Sequence, residues 1–277
     1  MRVTFDTNVW NRMVFPDRYK DRPNYLALVK LKDAIQSGRV SGFISEGFGT
    51  AESIKKQDRA LFNVQNVPTV KVTNKSYGPG LHCLRIEIEA KHDLHPGLTP
   101  EFEEELAEAL TIGIKLLSTP YMALPVPDRL RSNPSIYAEE VFATSAYNER
   151  FGEVVGAINA RGVGEGTLPA LANEFTSNLD GPRPDWITDR DLIYRVYVYA
   201  STSGLKKEKR QVEKAFAEAA DGDLVAAHIA FGNDYLCTDD KGISAASPSI
   251  FDGNSRAWLE SQYGVKIVSA QELADLL

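Results

Sequence analysis

Several classes of protein are excluded by what this chain has little of. Cysteine occurs only twice, at Cys83 and Cys237, so no disulfide framework beyond a single bridge is available, a usage that suits a reducing compartment. No apolar run approaches the roughly 18 residues of a membrane span. The first residues, Met1 to Asp6, carry neither a cationic lead nor an apolar signal region. The expectation is a soluble, cytoplasmic chain with no membrane partner. A basic excess is missing too. The 31 Lys and Arg against 38 Asp and Glu leave a formal charge of -7, which argues against a protein that coats polyanions by bulk charge. Internal repeats and low-complexity tracts are also lacking.

What is present is an ordinary globular composition, 43% hydrophobic and 25% charged. At 277 residues the chain suits one enlarged domain or two small ones, with core enough to need no staples. Arg2 to Phe5 is β-prone and is closed by the polar turn formers Asp6-Thr7-Asn8. Leu26, Val29, Leu31, Ala34 and Ile35 recur at helical spacing, with Asn24 as the expected cap and Gly38 as the stop. Val40 to Ser45 reads as a second strand, Glu46 to Lys56 as a helix and Pro68 to Thr73 as a third strand. That alternation signals a parallel sheet.

The middle changes character. Leu84, Ile86 and Ile88 alternate with Arg85, Glu87 and Glu89, the period-2 pattern of a half-solvated strand that belongs to an antiparallel pair or an edge. Thr99-Pro100 opens an acidic helix read from Glu101 to Leu117. Prolines 120, 125, 127 and 134 mark a connector, and helices are expected over 138–160 and 167–179. Further helices follow over 189–200, 206–220 and 223–231, with Gly222 between the last two. Tyr235 to Cys237 is a brief strand, 254–263 a helix and Val265 to Val268 a strand, and Ser269 caps a final helix. The organisation predicted is a three-layer α/β/α sandwich around a mostly parallel sheet. Its core is formed by residues 1–75 and 186–277, with a mainly helical insertion over 76–185.

Carboxylates fall where such folds place chemistry. Asp6 follows the first strand directly and Asp240 follows Thr238 just beyond another, so both face the crevice outside the carboxyl ends of the strands. Asp223 is read as starting a helix, where the dipole favours its charge. Glu52 lies on the helix after the second strand. Acids gathered at one sheet edge repel one another unless a cation neutralises them. Hard divalent ions such as Mg2+ take oxygen ligands, and a pair of them about 4 Å apart serves phosphodiester hydrolysis. Taken singly, each acid also has a plainer reading as a turn, helix-start or surface residue.

These pieces together resemble the PIN domain family of metal-dependent ribonucleases. Asp6-Thr7-Asn8-Val9 is similar to the family's opening motif. Ser45 followed by Ala51-Glu52 is similar to its second strand and acidic helix, and Asp223-Leu-Val-Ala-Ala-His-Ile-Ala230 to its Asp-x-x-Ile-Ala-Ala helix. Leu236-Cys237-Thr238-Asp239-Asp240 resembles its Leu-Val-Thr-x-Asp strand end, and Gly264 to Val268 its last strand. The resemblance implies an endoribonuclease acting on single-stranded RNA with Mg2+ or Mn2+. It implies Asp6, Asp223 and Asp240 as metal ligands, Glu52 as a fourth catalytic acid, and Asn8 and Thr238 as supporting hydrogen-bonding groups.

Two departures accompany it. Lys241-Gly242 stands where many members carry a further acid, which leaves Asp239 to compensate or the site to hold one ion. Glu46 rivals Glu52 as the second acid. The same departure admits a catalytically degenerate scaffold whose insertion contacts a protein partner or a second copy. A toxin-type nuclease with a cognate inhibitor is the third reading, with the length against it. Lys55 and Lys56, with Arg59, are placed to touch substrate phosphates, and read equally as a solvated helix face. Lys206-Lys-Glu-Lys-Arg210 could touch nucleic-acid backbone but reads first as a solvated helix start, and Tyr194, Tyr197 and Tyr199 could stack bases but are explained more simply by core packing. His82, Cys83, His92 and His95 do not make a zinc site, because strand alternation separates His82 from Cys83. Gly162-Val-Gly-Glu-Gly166 lacks the Lys-Ser/Thr ending of a phosphate loop.

Overall fold

The structure, a computed structural model, describes residues 1–45, 69–76, 82–89, 98–117, 134–138, 145–177, 189–242 and 248–277. Glu46, Glu52, Lys55, Lys56, Arg59, His92 and His95 lie outside the described residues.

Among the described residues, five parallel strands form the central sheet: β1 (Arg2–Phe5), β2 (Ser41–Ser45), β5 (Lys115–Leu117), β6 (Tyr235–Cys237) and β7 (Ile267–Val268), in the order β5-β2-β1-β6-β7. Strands β3 (Thr69–Ser76) and β4 (His82–Glu89) pair antiparallel in a sheet of their own, with Lys71 opposite Glu87. The strand expected over 68–73 therefore exists but is not the third parallel strand. That place is taken by β5, from a stretch read as the end of a helix. The acidic helix α3 (Pro100–Thr111) keeps its Thr99 cap but stops early, and the chain turns at Gly113 into β5. The third sheet strand thus comes from within the stretch assigned to the insertion.

Strand alternation sorts side chains into two layers. Val3, Phe5, Ile44, Leu116 and Cys237 face one side, where they pack with α1 (Thr7–Val14), α2 (Tyr25–Gln36), α3 and α9 (Ala270–Asp275). Phe43, Leu117 and Leu236 face the other, against α4 (Ser145–Ala160), α7 (Lys206–Phe231) and α8 (Gly253–Tyr263). The result is a three-layer α/β/α sandwich. A separate apolar cluster joins α5 (Thr167–Ser177) and α6 (Asp189–Ser203) to the first half of α7 through Phe175, Ile193, Tyr197, Val212 and Phe216. Among the described residues no helix is long and apolar enough to cross a membrane.

Helix α7 runs for 26 residues without a break at Gly222. That glycine marks a close approach instead of a boundary: a Cβ there would stand 3.0 Å from Gly164 Cα. The Gly162–Gly166 stretch is accordingly a helix-packing turn, in which Gly164 N–H donates to Glu218 Oε1 at 3.2 Å. Asp223 consequently lies deep within α7, and the favourable helix-start placement expected for it does not hold.

Candidate functional site at the carboxyl edge of the sheet

In the order β5-β2-β1-β6-β7 the chain leaves β1 toward one edge and returns through β6 beside it. This switch point opens a crevice between the carboxyl ends of β1 and β6. Asp6 and Thr238 sit there side by side, since the register pairs Phe5 with Cys237 just below them. Continuing the register of Thr4 with Phe43 puts Ser45 in the same row.

Asp6 is only 6% exposed, and its carboxylate is held by its own motif. As N-cap of α1 it accepts Thr7 N–H on Oδ1 at 2.6 Å. Its Oδ2 accepts the Thr238 hydroxyl at 2.6 Å and Asn8 Nδ2 at 2.5 Å. Asn8 also donates to Thr238 Oγ1 at 3.2 Å, and its Oδ1 accepts Asp239 N–H at 3.0 Å. Thr238 Oγ1 then accepts Asp240 N–H at 3.0 Å. Short bonds from neutral donors to a carboxylate are charge-assisted and fix its orientation.

The same alternation separates the two aspartates after Thr238. Asp239 turns to the α1/α9 layer. It accepts Arg12 Nη2 and Asn24 Nδ2, each at 3.0 Å, on Oδ2, and Ala270 N–H at 3.1 Å on Oδ1. Asn24 is thus not the side-chain cap of α2 but a strut to Asp239. Asp239, offered by the sequence as a compensating site acid, is committed to joining α1, the α1–α2 connection and α9. Asp240 turns to the α7/α8 layer and is exposed. Its Oδ1 accepts Gly242 N–H at 2.8 Å, and its carbonyl oxygen accepts Arg256 Nη2. Arg256 Nε also donates to Phe251 O at 2.8 Å. Gly242 lies against that same segment with φ +62°, and a Cβ on it would meet Asp252 N at 2.4 Å. Only glycine fits this turn.

Helix α7 brings two more acids to this edge. His228 lies level with β1 Thr4, its Nδ1 3.0 Å from Thr4 Oγ1. Five residues of helix rise about 7.5 Å and two residues of strand about 6.6 Å, so buried Asp223 stands at the height of Asp6. Its side chain is turned about 140° around the helix from that of His228. Glu218, which the sequence reading did not single out, stands one further step up the helix. Its Oε1 accepts Ile250 N–H at 2.6 Å as well as Gly164 N–H. Burial raises its pKa and the nearby Asp240 charge adds to that, while its two backbone donors oppose the rise. Burial, then Asp239 and Asp6, also push the Cys237 thiol well above its ordinary value. The carboxyl edge is therefore an acidic environment.

Among the described residues, no three His, Cys, Asp or Glu side chains are grouped to hold one metal ion. Asp6 and Asp240 are linked through Thr238, and Asp223 stands at the height of Asp6. The donors present are hard carboxylate oxygens, which fit Mg2+ or Mn2+ in kind. Of the tyrosines, Tyr197 is buried and Tyr199 is 64% exposed. Arg256 and Glu218 escaped the sequence reading because neither belongs to a motif: their partners lie 16 and 32 residues away. The chain matches no protein-family model, no curated protein and no solved structure.

Proposed function

We propose that the chain is a metal-dependent nuclease, PIN-like in its core, that hydrolyses phosphodiester bonds in single-stranded RNA as an endoribonuclease. The observation that carries this reading is the fixed carboxylate of Asp6 at the sheet's switch point, joined through Thr238 to the Asp240 turn. Buried acids are costly unless their charge is compensated, and an acidic edge built at a ligand-binding crevice suits a cation. Asp6, Asp223 and Asp240 would hold Mg2+ or Mn2+, with Glu52 or Glu46 as the further acid and Lys55 and Lys56 at substrate phosphates. A divalent ion bound there supplies charge stabilisation for a phosphoryl oxygen and activation of water. Asn8 and Thr238 orient Asp6, and Arg256 and Gly242 fix the turn that carries Asp240.

The test is Asp6→Asn assayed for Mn2+-dependent cleavage of single-stranded RNA, with circular dichroism to check the fold. Asn remains a good N-cap, so the helix start survives. Cleavage should fall by more than about 100-fold, beyond what loss of a supporting partner costs. Undiminished cleavage would sink the assignment. A protein that neither cleaves RNA nor binds Mn2+ through Asp6 would be the degenerate scaffold instead.

A further inference from the structure

Helix α7 is longer than the sheet it packs on, and its overhang has a distinct chemistry. Its last three turns are buried almost all round, with His228 against Thr4 and Phe231 against Phe43. Counting back from His228 in steps that keep one helix face gives Asp221, Ala217, Lys214, Arg210 and Lys207. The opposite face of that stretch, Val212, Phe216 and Ala219, is buried, the first two against α5 and α6. The row itself is open: Lys207, Arg210 and Ala217 are exposed, and Lys214 and Asp221 half-buried. Within the sheet, then, this face packs on β1, and beyond the carboxyl edge it becomes a stripe of three cations.

The stripe's height follows from the helix rise. Thr4 is level with His228, and Asp6 stands about 6.6 Å higher. Along the helix axis Lys214 is therefore about 14 Å beyond Asp6, Arg210 about 20 Å and Lys207 about 25 Å. The cations are spaced by one turn each, on the same side of α7 that meets the sheet lower down. Lys206-Lys-Glu-Lys-Arg210, read from the sequence as a solvated helix start, is thus the far end of a row leading to the acidic edge. Lys209 belongs to another face, its ammonium over the Tyr197 ring and 4.0 Å from Glu213.

We propose that Lys207, Arg210 and Lys214 form a track for the phosphodiester backbone of single-stranded RNA, guiding it along α7 toward Asp6. This inference rests on the nuclease reading and adds to it the direction in which substrate is held. In a chain of net charge -7, where bulk attraction is absent, such a local stripe is the kind of feature that must hold a polyanion. Each cation that neutralises a phosphate releases counterions, so its contribution appears in the salt dependence of binding. Specificity for sequence is not implied, because backbone contacts position and do not read bases.

The test measures binding of a short fluorescein-labelled single-stranded RNA by anisotropy in EDTA, where no cleavage occurs, over a series of salt concentrations. Lys207→Glu/Arg210→Glu should weaken binding by on the order of 10-fold or more at low salt and make it less salt-dependent. The control Lys30→Glu/Arg39→Glu changes exposed cations on and just after α2 by the same net charge and should leave binding within about 2-fold. Lys214→Gln should give an intermediate loss. Equal losses in the stripe and control variants would reduce the effect to net charge and overturn the proposal, as would wild-type protein that binds no RNA. The two readings fail separately. RNA binding that depends on the stripe, without Asp6-dependent cleavage, overturns the nuclease and keeps the track. Asp6-dependent cleavage with stripe variants that bind normally overturns the track alone.

Discussion

Asp239 and Asp240 are neighbours in the chain and opposites in environment. Asp239 faces the α1/α9 layer and is surrounded by a guanidinium, a side-chain amide and a backbone N–H from three separate segments. Asp240 faces the α7/α8 layer, is exposed, and is fixed mainly through its backbone, its side chain accepting one bond from within its own turn. The alternation of side chains along the extended chain leaving β6 produces this division. The difference teaches that acidic sequence alone does not mark a site. What matters is whether the fold spends a carboxylate's acceptors on joining elements together or leaves the group at the crevice. The α7 face is itself graded, dry at the level of Thr4 and wet at the level of Asp240.

The dry end of that gradient gives the largest expected effect. His228 is 2% exposed, and burial lowers its pKa from 6.5 to about 4, against a small opposing pull from Asp234. The unfolded chain takes up a proton near pH 6.5 that the folded chain refuses until about 4. The stability this histidine contributes as a neutral residue is complete above pH 6.5 and is lost as pH falls through 4. The loss approaches about 3 kcal/mol. Thermal melts between pH 6.5 and 4 should show a steeper decline for the wild type than for His228→Gln. Parallel curves would mean that the carboxyl-terminal part of this face is wet, and the gradient would disappear.

Next comes the latch. Asp239→Ala leaves Arg12, Asn24 and the Ala270 N–H without their acceptor, a loss of about 2 kcal/mol in a partly solvated setting. Urea unfolding measures it. A change below about 0.5 kcal/mol would place Asp239 with ordinary surface residues and erase its contrast with Asp240.

Much of this edge was legible in the sequence, and the parts that were not share a cause. Strands β1 and β6, the Asp6 turn and the final helix with its Ser269–Glu272 capping box are local features, set by neighbouring residues. The three-layer class follows from their alternation. Strand β5 was hidden because Lys115-Leu-Leu117 continues an apolar helical pattern, and three residues are too short to show a period of two. Helix α7 was read in two pieces, 206–220 and 223–231, and what lets it run through the mid-helix Gly222, which otherwise costs stability, is the turn at Gly164, 58 residues away in the chain. Period 2 does separate Asp239 from Asp240 in sequence. Which of them faces the latch depends on Arg12 and α9, more than 200 and about 30 residues distant.

The smallest stability change is expected where the proposed chemistry is greatest. Asp240→Ala removes one acceptor from an exposed turn whose backbone is still held by Thr238 Oγ1 and by Arg256, so unfolding should shift by about 0.5 kcal/mol or less. Mn2+-dependent cleavage, in contrast, should fall by at least about 100-fold if this carboxylate binds the ion. The two substitutions then form opposite pairs of outcomes: Asp239→Ala unstable with its remaining folded fraction active, Asp240→Ala stable and inactive. Isothermal titration with Mn2+ adds a readout free of turnover, in which Asp240→Ala should lose affinity and Asp239→Ala should keep it at a temperature below its melt. Equal Mn2+ affinity in both variants would make the division at the end of β6 a matter of packing alone, with the ion bound elsewhere or not at all.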